Sequence, residues 1–457
     1  MTSTVDSLRS IVEPQRVLDD SAALERYSHD AAEWADYETP LAVVLAVSTE
    51  EVSAVVGWAA SQAVRVVARG AGTGLSGGAN SIANCVILSL ELMTEVIEIN
   101  VGERYARSQA GVINNDLRAA VAVEGLWYPP DPASQSISTI GGNAATNAGG
   151  ICCVKYGVTR DYVLGLTVVL ADGSIVRLGR HTAKGVTGYD LTALMVGSEG
   201  TLGIITEVTV KLLPLAGREE RAIIGYFPSL NAAGLAVAAV AAASIVPAAL
   251  ELIDRTCLQA VAEWQGWDLP QDVEALLLAK VDEAGVSGQA LAARIAELFA
   301  GSGGVNVELA DDRAEVDRLF LARRLAHPAL ERTGQLLTED VCVPREAVPE
   351  MLSRIQAAAA ANDVVIANIA HAGDGNLHPL MLVPFGDEAA RARAKIAFDR
   401  IVADCAELGG TVTGEHGVGL LKLPGARAEL GARVLRMHSD VKHALDPAGT
   451  LNPGKGF

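Results

Sequence analysis

Two hydrophobic rhythms alternate along the chain. Short β-branched runs at 41–47, 64–68, 85–90, 96–100 and 104–110 read as strands. Between the first two, Ser48-Thr49-Glu50-Glu51 supplies a capping hydroxyl and early acids, and apolar positions then recur at helical spacing through Ala63. A helix follows over 114–123. Residues 162–171 lead into a hairpin closed at Asp172-Gly173, and 204–213 forms the next strand. The texture changes at 214–220, where a domain boundary is expected. Beyond it, strands at 221–227, 249–253, 276–282, 305–309 and 335–343 alternate with helices at 232–250, 288–300, 313–330 and 344–361. This alternation predicts an α+β domain with an antiparallel sheet and helices on one side of it. A helix at 387–408 comes later, and 445–455 is expected to return to the first domain.

One hairpin stands out. Residues 364–370 and 377–383 are apolar strands on either side of Asp374-Gly375, a dipeptide suited to a two-residue type I′ turn. Folding about that turn pairs His371 with His378, with Cβ atoms roughly 5 Å apart on one face. Two imidazoles at that distance can share a divalent ion. They are equally two polar residues beside a turn, and the pattern alone leaves both readings open.

Arg69-Gly70-Ala71-Gly72-Thr73-Gly74-Leu75-Ser76-Gly77-Gly78 follows the strand at 64–68. It contains G-x-G-x-x-G, but a Rossmann site requires a helix immediately after the loop, and here 79–84 is turn-like and 85–90 is already a strand. What remains is a glycine-rich loop whose N–H groups form an anion nest for a diphosphate. The segment 139–150, Thr-Ile-Gly-Gly-Asn-Ala-Ala-Thr-Asn-Ala-Gly-Gly, reads as an ordered ligand-binding loop. Near the end, Glu415-His416 lies between glycines in a tightly shaped loop.

Bulk properties remove several function classes. At 457 residues, two domains or three are expected. A net charge of −19 argues against nucleic acid and against simple docking on anionic lipid. Residues 1–20 show no apolar core after a basic start, so no signal peptide is expected. The Ala-rich stretch at 232–250 is broken by Pro247 and reads as a buried helix, not a transmembrane segment. The six cysteines contain no C-x-x-C, which disfavours an iron–sulfur cluster and fits reduced thiols in a cytoplasm. Any membrane association is expected to be peripheral, through a partner.

Taken together, RGAGTGLSGGA, PPDPAS, TIGGNAATNAGG, KYGVTRDYVLGL, GSEGTLGIIT, AHAGDGNLHP, TGEHGVG and LDPAGTLNPGK resemble the FAD-linked oxidases of the vanillyl-alcohol oxidase / p-cresol methylhydroxylase fold. The resemblance is to the D-2-hydroxy-acid dehydrogenase branch: D-lactate dehydrogenase, the glycolate oxidase flavin subunit and D-2-hydroxyglutarate dehydrogenase. It implies a two-part FAD-binding domain at 1–216, an α+β cap domain at 217–425 and a segment at 426–457 returning to the FAD domain. For FAD it implies that Arg69, Gly70, Ala71, Gly72, Thr73, Gly74, Leu75, Ser76 and Gly77 hold the pyrophosphate. Pro130, Asp131, Ser134, Gly142, Asn143, Thr146, Asn147 and Gly149 line the ring and ribityl side. Glu199, Gly200, Gly203 and Ile205 close over the remainder, with Asn452 near the ring. No histidine stands in the glycine-rich loop, so the FAD is expected to be non-covalent.

The resemblance further implies a metal site of His371, His378 and Glu415, expected to take zinc, with manganese as the alternative. Arg323 grips the substrate carboxylate and His416 is the general base. The implied reaction oxidises a small D-2-hydroxy acid to its 2-oxo acid, with the metal polarising the hydroxyl and the hydride passing to flavin N5. Thr338 stands where the hydroxyglutarate branch carries a lysine, which favours D-lactate, with glycolate next. The electron acceptor is left open among a quinone, a cytochrome, a separate iron–sulfur subunit and oxygen, as is the oligomeric state. Two rival readings stand beside this one: a flavin subunit active only inside a complex, and a metal-dependent hydrolase with merely structural glycine loops.

Overall fold

The computed structural model describes residues 3–456 apart from 183, 216 and 311. The chain forms two compact units. The first comprises Met1–Gly149, Val158–Ala216 and Glu415–Phe457; the second comprises Gly150–Gly157 and Gly217–Gly414.

The first unit is built on two main sheets, beside a two-stranded pairing of Leu126–Trp127 with Leu213–Pro214. In one, Ala42–Leu45, Cys85–Ser89 and Arg65–Arg69 run parallel, and Val17–Leu18 pairs antiparallel at the edge. The helix Thr49–Ser61 makes the crossover and buries Val52, Val55, Val56 and Ala59, a stripe at helical spacing. Ser48 caps it, its Oγ accepting from Glu51 N at 3.2 Å. The other sheet is antiparallel, in the order Val96–Asn100, Tyr105–Gln109, Ile204–Lys211, Val163–Val169, Ile175–Gly179. The C-terminal segment covers the free edge of Arg65–Arg69: Val66 N donates to Thr450 O at 2.8 Å and Asn452 N to Val66 O at 2.8 Å.

The second unit holds one antiparallel sheet. Its first four strands are ordered Val305–Ala310, Arg218–Phe227, Ala275–Glu283, Ala249–Asp254. This is two interleaved β-α-β units, a ferredoxin-like arrangement. Val365–His371, Asn376–Val383 and Gln335–Thr338 extend it, and Val341–Cys342 continues beside Asn376–Val383. Helices cover both faces, not one. Ala222 and Ile224 pack with Cys257, Leu258, Phe320 and Ala329 from two helices, whereas Phe227 on the opposite face meets Phe299 edge-on, ring centroids 5.9 Å apart. The run Leu276-Leu277-Leu278 shows why: all three are buried, so the strand is apolar on both sides.

Two further expectations are corrected. The histidine hairpin does not close on a two-residue turn. His371 pairs with Asn376, and Ile369 with His378. Gly375 takes φ +79° but Asp374 is not among the residues with positive φ, and a type I′ turn needs both. The loop is therefore four residues, Ala372 to Gly375, with Asp374 N donating to His371 O at 3.0 Å. The segment 139–150 is also not all loop. Thr139 caps a short helix, Ile140–Thr146, with its Oγ1 accepting from Gly142 N at 3.2 Å.

Phe299 is fully buried in the second unit. Phe299→Ala is expected to cost about 3–5 kcal/mol by opening a cavity. A lower urea midpoint for the full-length protein, followed by circular dichroism, checks this.

Candidate active site

A cavity of about 220 Å³ lies within the first unit. The loop from Arg69 to Ser76 lines it with backbone, and Ser134, Gly142, Asn143, Thr146 and Gly149 form another side. Glu199, Gly200, Gly203 and Ile205 line it too, as do Glu415 and His416. No helix follows the glycine loop before the strand Cys85–Ser89. Gly72 and Gly77 adopt φ +72° and +78°, which L side chains rarely take. The Arg69 guanidinium sits against Gly72, donates from Nη1 to His29 O at 2.6 Å and lies over the Tyr27 ring. Burial pushes the Arg69 pKa down, against the raising effect of Asp30 and Glu91.

The helix Ile140–Thr146 enters this cavity at close quarters. A Cβ at Gly141 would lie 2.9 Å from Ala110 Cα and 2.9 Å from Ala110 O, so only glycine permits the approach. Among the described residues, Asn143 Nδ2 and Ser138 Oγ are buried without a hydrogen-bond partner, and both residues line the cavity. Buried polar atoms of this kind call for a polar ligand. Bare backbone N–H groups, small residues and orphaned side-chain polar atoms suit a flat molecule carrying a diphosphate.

Five expected cofactor residues do not line the cavity. Gly77 packs against Ala35. The Pro130 carbonyl accepts from Arg118 Nη1 at 3.1 Å, and Asp131 is buried nearby in the chain. Asn147 ends the helix in the left-handed region at φ +53°, its Oδ1 accepting from Arg160 N at 2.9 Å. Asn452 Nδ2 donates to Gly78 O at 2.9 Å and to Glu199 O at 2.8 Å, tying the C-terminal segment to two loops.

The loop carrying His416 is clamped from two sides. Ser76 Oγ donates to His416 O at 3.1 Å and to Gly417 O at 2.8 Å. The Glu199 carboxylate accepts from Val418 N and Gly419 N, each at 2.8 Å. Burial nevertheless pushes the Glu199 carboxyl above its usual range, outweighing those two donors.

In the second unit His371 and His378 lie on neighbouring strands, and the two-residue offset keeps them on one face. Their rings are 5.2 Å apart at 87°. Both are buried. Each has a carboxylate behind it, which the sequence reasoning missed. Leu252 pairs with Ala370, so Glu251 stands beside His371, with Oε1 2.8 Å from Nδ1. Thr338 pairs with Leu380 and Val341 with Leu377, so Asp340 stands beside His378, with Oδ1 3.7 Å from Nδ1. Asp340 Oδ2 also accepts from Thr413 Oγ1 at 2.7 Å and Gly414 N at 3.0 Å, fixing the residue that directly precedes Glu415. Arg323 is buried, and its Nε donates to Glu251 Oε2 at 2.7 Å. Burial works to raise the Glu251 carboxyl, but the charges of His371 and Arg323 prevail and hold it below its ordinary value. The available signal was an acid inside the apolar strand Ala-Leu-Glu-Leu-Ile. An imidazole whose Nδ1 is hydrogen-bonded to a carboxylate, as in His371, fits a divalent ion at Nε2.

The fold is that of p-cresol methylhydroxylase-type FAD oxidases. It matches p-cresol methylhydroxylase with a TM-score of 0.80 at 17% identity, covering 99% of this chain and 96% of that one. It matches 4-ethylphenol oxidase from Gulosibacter chungangensis at 0.81 and 19%, with the same coverage. A family model described as "FAD linked oxidases, C-terminal domain" matches residues 218–456, and one described as "FAD binding domain" matches 40–179. Glycolate oxidase subunit GlcD of Bacillus subtilis is 39% identical over 99% of this chain and 96% of its own length. D-lactate dehydrogenase of Anaerostipes hadrus is 36% identical over 97% of this chain and 95% of its own. The chain belongs to the FAD-linked oxidases, as an oxidoreductase of the glycolate oxidase GlcD and D-lactate dehydrogenase type.

Gly141→Ala should drive the helix Ile140–Thr146 off Ala110 and weaken flavin retention. The ratio of flavin to protein absorbance after purification should fall several-fold while the far-ultraviolet circular dichroism stays native.

Proposed function

We propose that the protein oxidises a small D-2-hydroxy acid to the 2-oxo acid, with D-lactate favoured and glycolate next. The observation that carries this reading is the full-length similarity to proteins named as a glycolate oxidase subunit and D-lactate dehydrogenases. The second unit supports it chemically, with a buried arginine suited to a carboxylate next to a carboxylate-backed histidine pair. Thr338 carries no charge for a distal carboxylate, and its Oγ1 lies 3.3 Å from His327 Nε2.

FAD, held without a covalent link by the Arg69–Ser76 loop and the segment around Gly142 and Asn143, supplies the two-electron acceptor. A divalent metal held by His371, His378 and Glu415, with zinc favoured over manganese, supplies a Lewis acid that makes the substrate hydroxyl more acidic. Arg323 orients the substrate through its carboxylate; a guanidinium fork matches that group better than an ammonium does. His416 takes the hydroxyl proton on an imidazole nitrogen, acting as the general base. Ser76 on its carbonyl, and Glu199 on the Val418 and Gly419 amides just beyond, steady its loop for that transfer.

A second reading concerns context. The GlcD relatives are named as subunits. That supports this chain serving as the flavin-carrying subunit of a larger assembly, with electrons leaving to a partner. Among the described residues no helix is long and apolar enough to cross a membrane.

The test is an anaerobic absorbance titration of the purified protein with D-lactate, L-lactate, glycolate and D-2-hydroxyglutarate. D-lactate should bleach the flavin band and L-lactate should not. A yellow protein that none of these acids bleaches overturns the substrate class. His416→Ala should keep its flavin yet be reduced about 10²-fold more slowly or worse. Removing metal with chelator should stop bleaching, and added zinc or manganese should restore it.

A further inference from the structure

Glu251 sits in the interior of the strand Ala249–Asp254 with 0% exposure. Its two oxygens are divided between two partners. Oε2 accepts from Arg323 Nε at 2.7 Å and Oε1 accepts from His371 Nδ1 at 2.8 Å. Each bond fixes something different. Held by Nε alone, Arg323 makes no hydrogen bond through its Nη groups among the described residues, so the fork is left for a second planar partner. A carboxylate beside a guanidinium can only accept, so His371 presents Nδ1–H to it, which leaves Nε2 as the one ring nitrogen able to offer a lone pair to an ion.

We propose that Glu251 is a positioning residue that makes metal binding and substrate-carboxylate binding interdependent, by orienting His371 and Arg323 through one carboxylate. This rests on the reading of His371 as a metal ligand and Arg323 as the carboxylate grip. The shape of the group explains why the two functions are joined. A carboxylate satisfies N–H donors on both sides at once. A glutamine of the same size offers one oxygen and one NH₂, so one of the two donors must face another donor. With the NH₂ toward His371, the imidazole must accept at Nδ1, and its proton moves to Nε2, where an ion would bind. With the NH₂ toward Arg323, the guanidinium is displaced. Asp340 stands behind His378 without this double duty toward Arg323, since its other oxygen holds Thr413 and Gly414.

The experiment compares the FAD-loaded full-length protein with E251Q, E251D, H371A and R323A. Zinc affinity is measured without substrate, by competition with a chromophoric chelator. The KM for D-lactate is measured separately at saturating zinc. Flavin content and thermal midpoint report folding. E251Q keeps one oxygen and should lose one contact, with zinc bound about 10–100-fold more weakly or the KM for D-lactate raised about tenfold or more, the size of a lost charge-assisted hydrogen bond. E251D keeps the charge but withdraws it from both donors, and should show both losses; it decides the matter if E251Q fails to fold. Zinc affinity and KM both unchanged in the Glu251 variants, with H371A losing zinc and R323A raising KM, would overturn the proposal. So would a change in only one of the two quantities in E251D. If H371A keeps native zinc affinity, or R323A keeps native KM, the underlying site reading fails instead.

Discussion

Charge buried in a sheet must be answered by a charged or hydrogen-bonding partner within reach. The second unit is organised by that constraint. His371, His378, Arg323, Glu251 and Asp340 are all nearly without solvent, and an unpaired ion there would cost several kcal/mol. Strand register meets the need. Glu251 falls beside His371 because Leu252 pairs with Ala370, and Asp340 falls beside His378 because Thr338 and Val341 keep one continuous register along Asn376–Val383. A slip of one residue on either side would turn a carboxylate to the opposite face and leave an imidazole alone.

The first unit solves a different problem, bringing backbone close to a large flat ligand. Its means are subtractive. Gly72 leaves room for Arg69, Gly141 for Ala110, and Gly149 for Glu415. The charged side chains near this cavity act mostly as struts. Arg69 and Glu199 are occupied with His29 O and with the Val418 and Gly419 amides. Division of labour follows: polar atoms without protein partners, such as Asn143 Nδ2, belong to residues lining the cavity, and charged side chains such as Arg69 and Glu199 brace its walls.

Local signals were readable from the sequence and non-local ones were not. The helix Asn114–Val123 and the strand Val96–Asn100 lie where apolar spacing places them. The glycine loop could be read as an anion nest, and not as a Rossmann turn, because the next strand comes too soon. The histidine hairpin shows the limit. Asp374-Gly375 accepts more than one loop geometry, and packing of Gly373 against Leu250, with Gly373 N donating to Leu250 O at 3.0 Å, belongs to a strand far away in sequence. Glu251 and Asp340 escaped for the same reason, since their meaning lies in partners across the sheet. The helix Ile140–Thr146 was hidden by its two glycines, which lower helix propensity but are required by Ala110.

The short stretch Gly150–Gly157 has a consequence for how the molecule can be made. It is held to the second unit by Lys155 Nζ on Asp282 and Glu283, at 2.5 and 2.6 Å, and by Tyr156 on Asp282. The chain thus changes unit after residues 149, 157, 216 and 414. A ribosome would release all of the second unit before the last strip of the first, so the first unit is the later of the two to be completed. A fragment cut at 217 would strip Asp282 of both Lys155 and Tyr156. Neither unit could be lifted out of the chain at a single boundary.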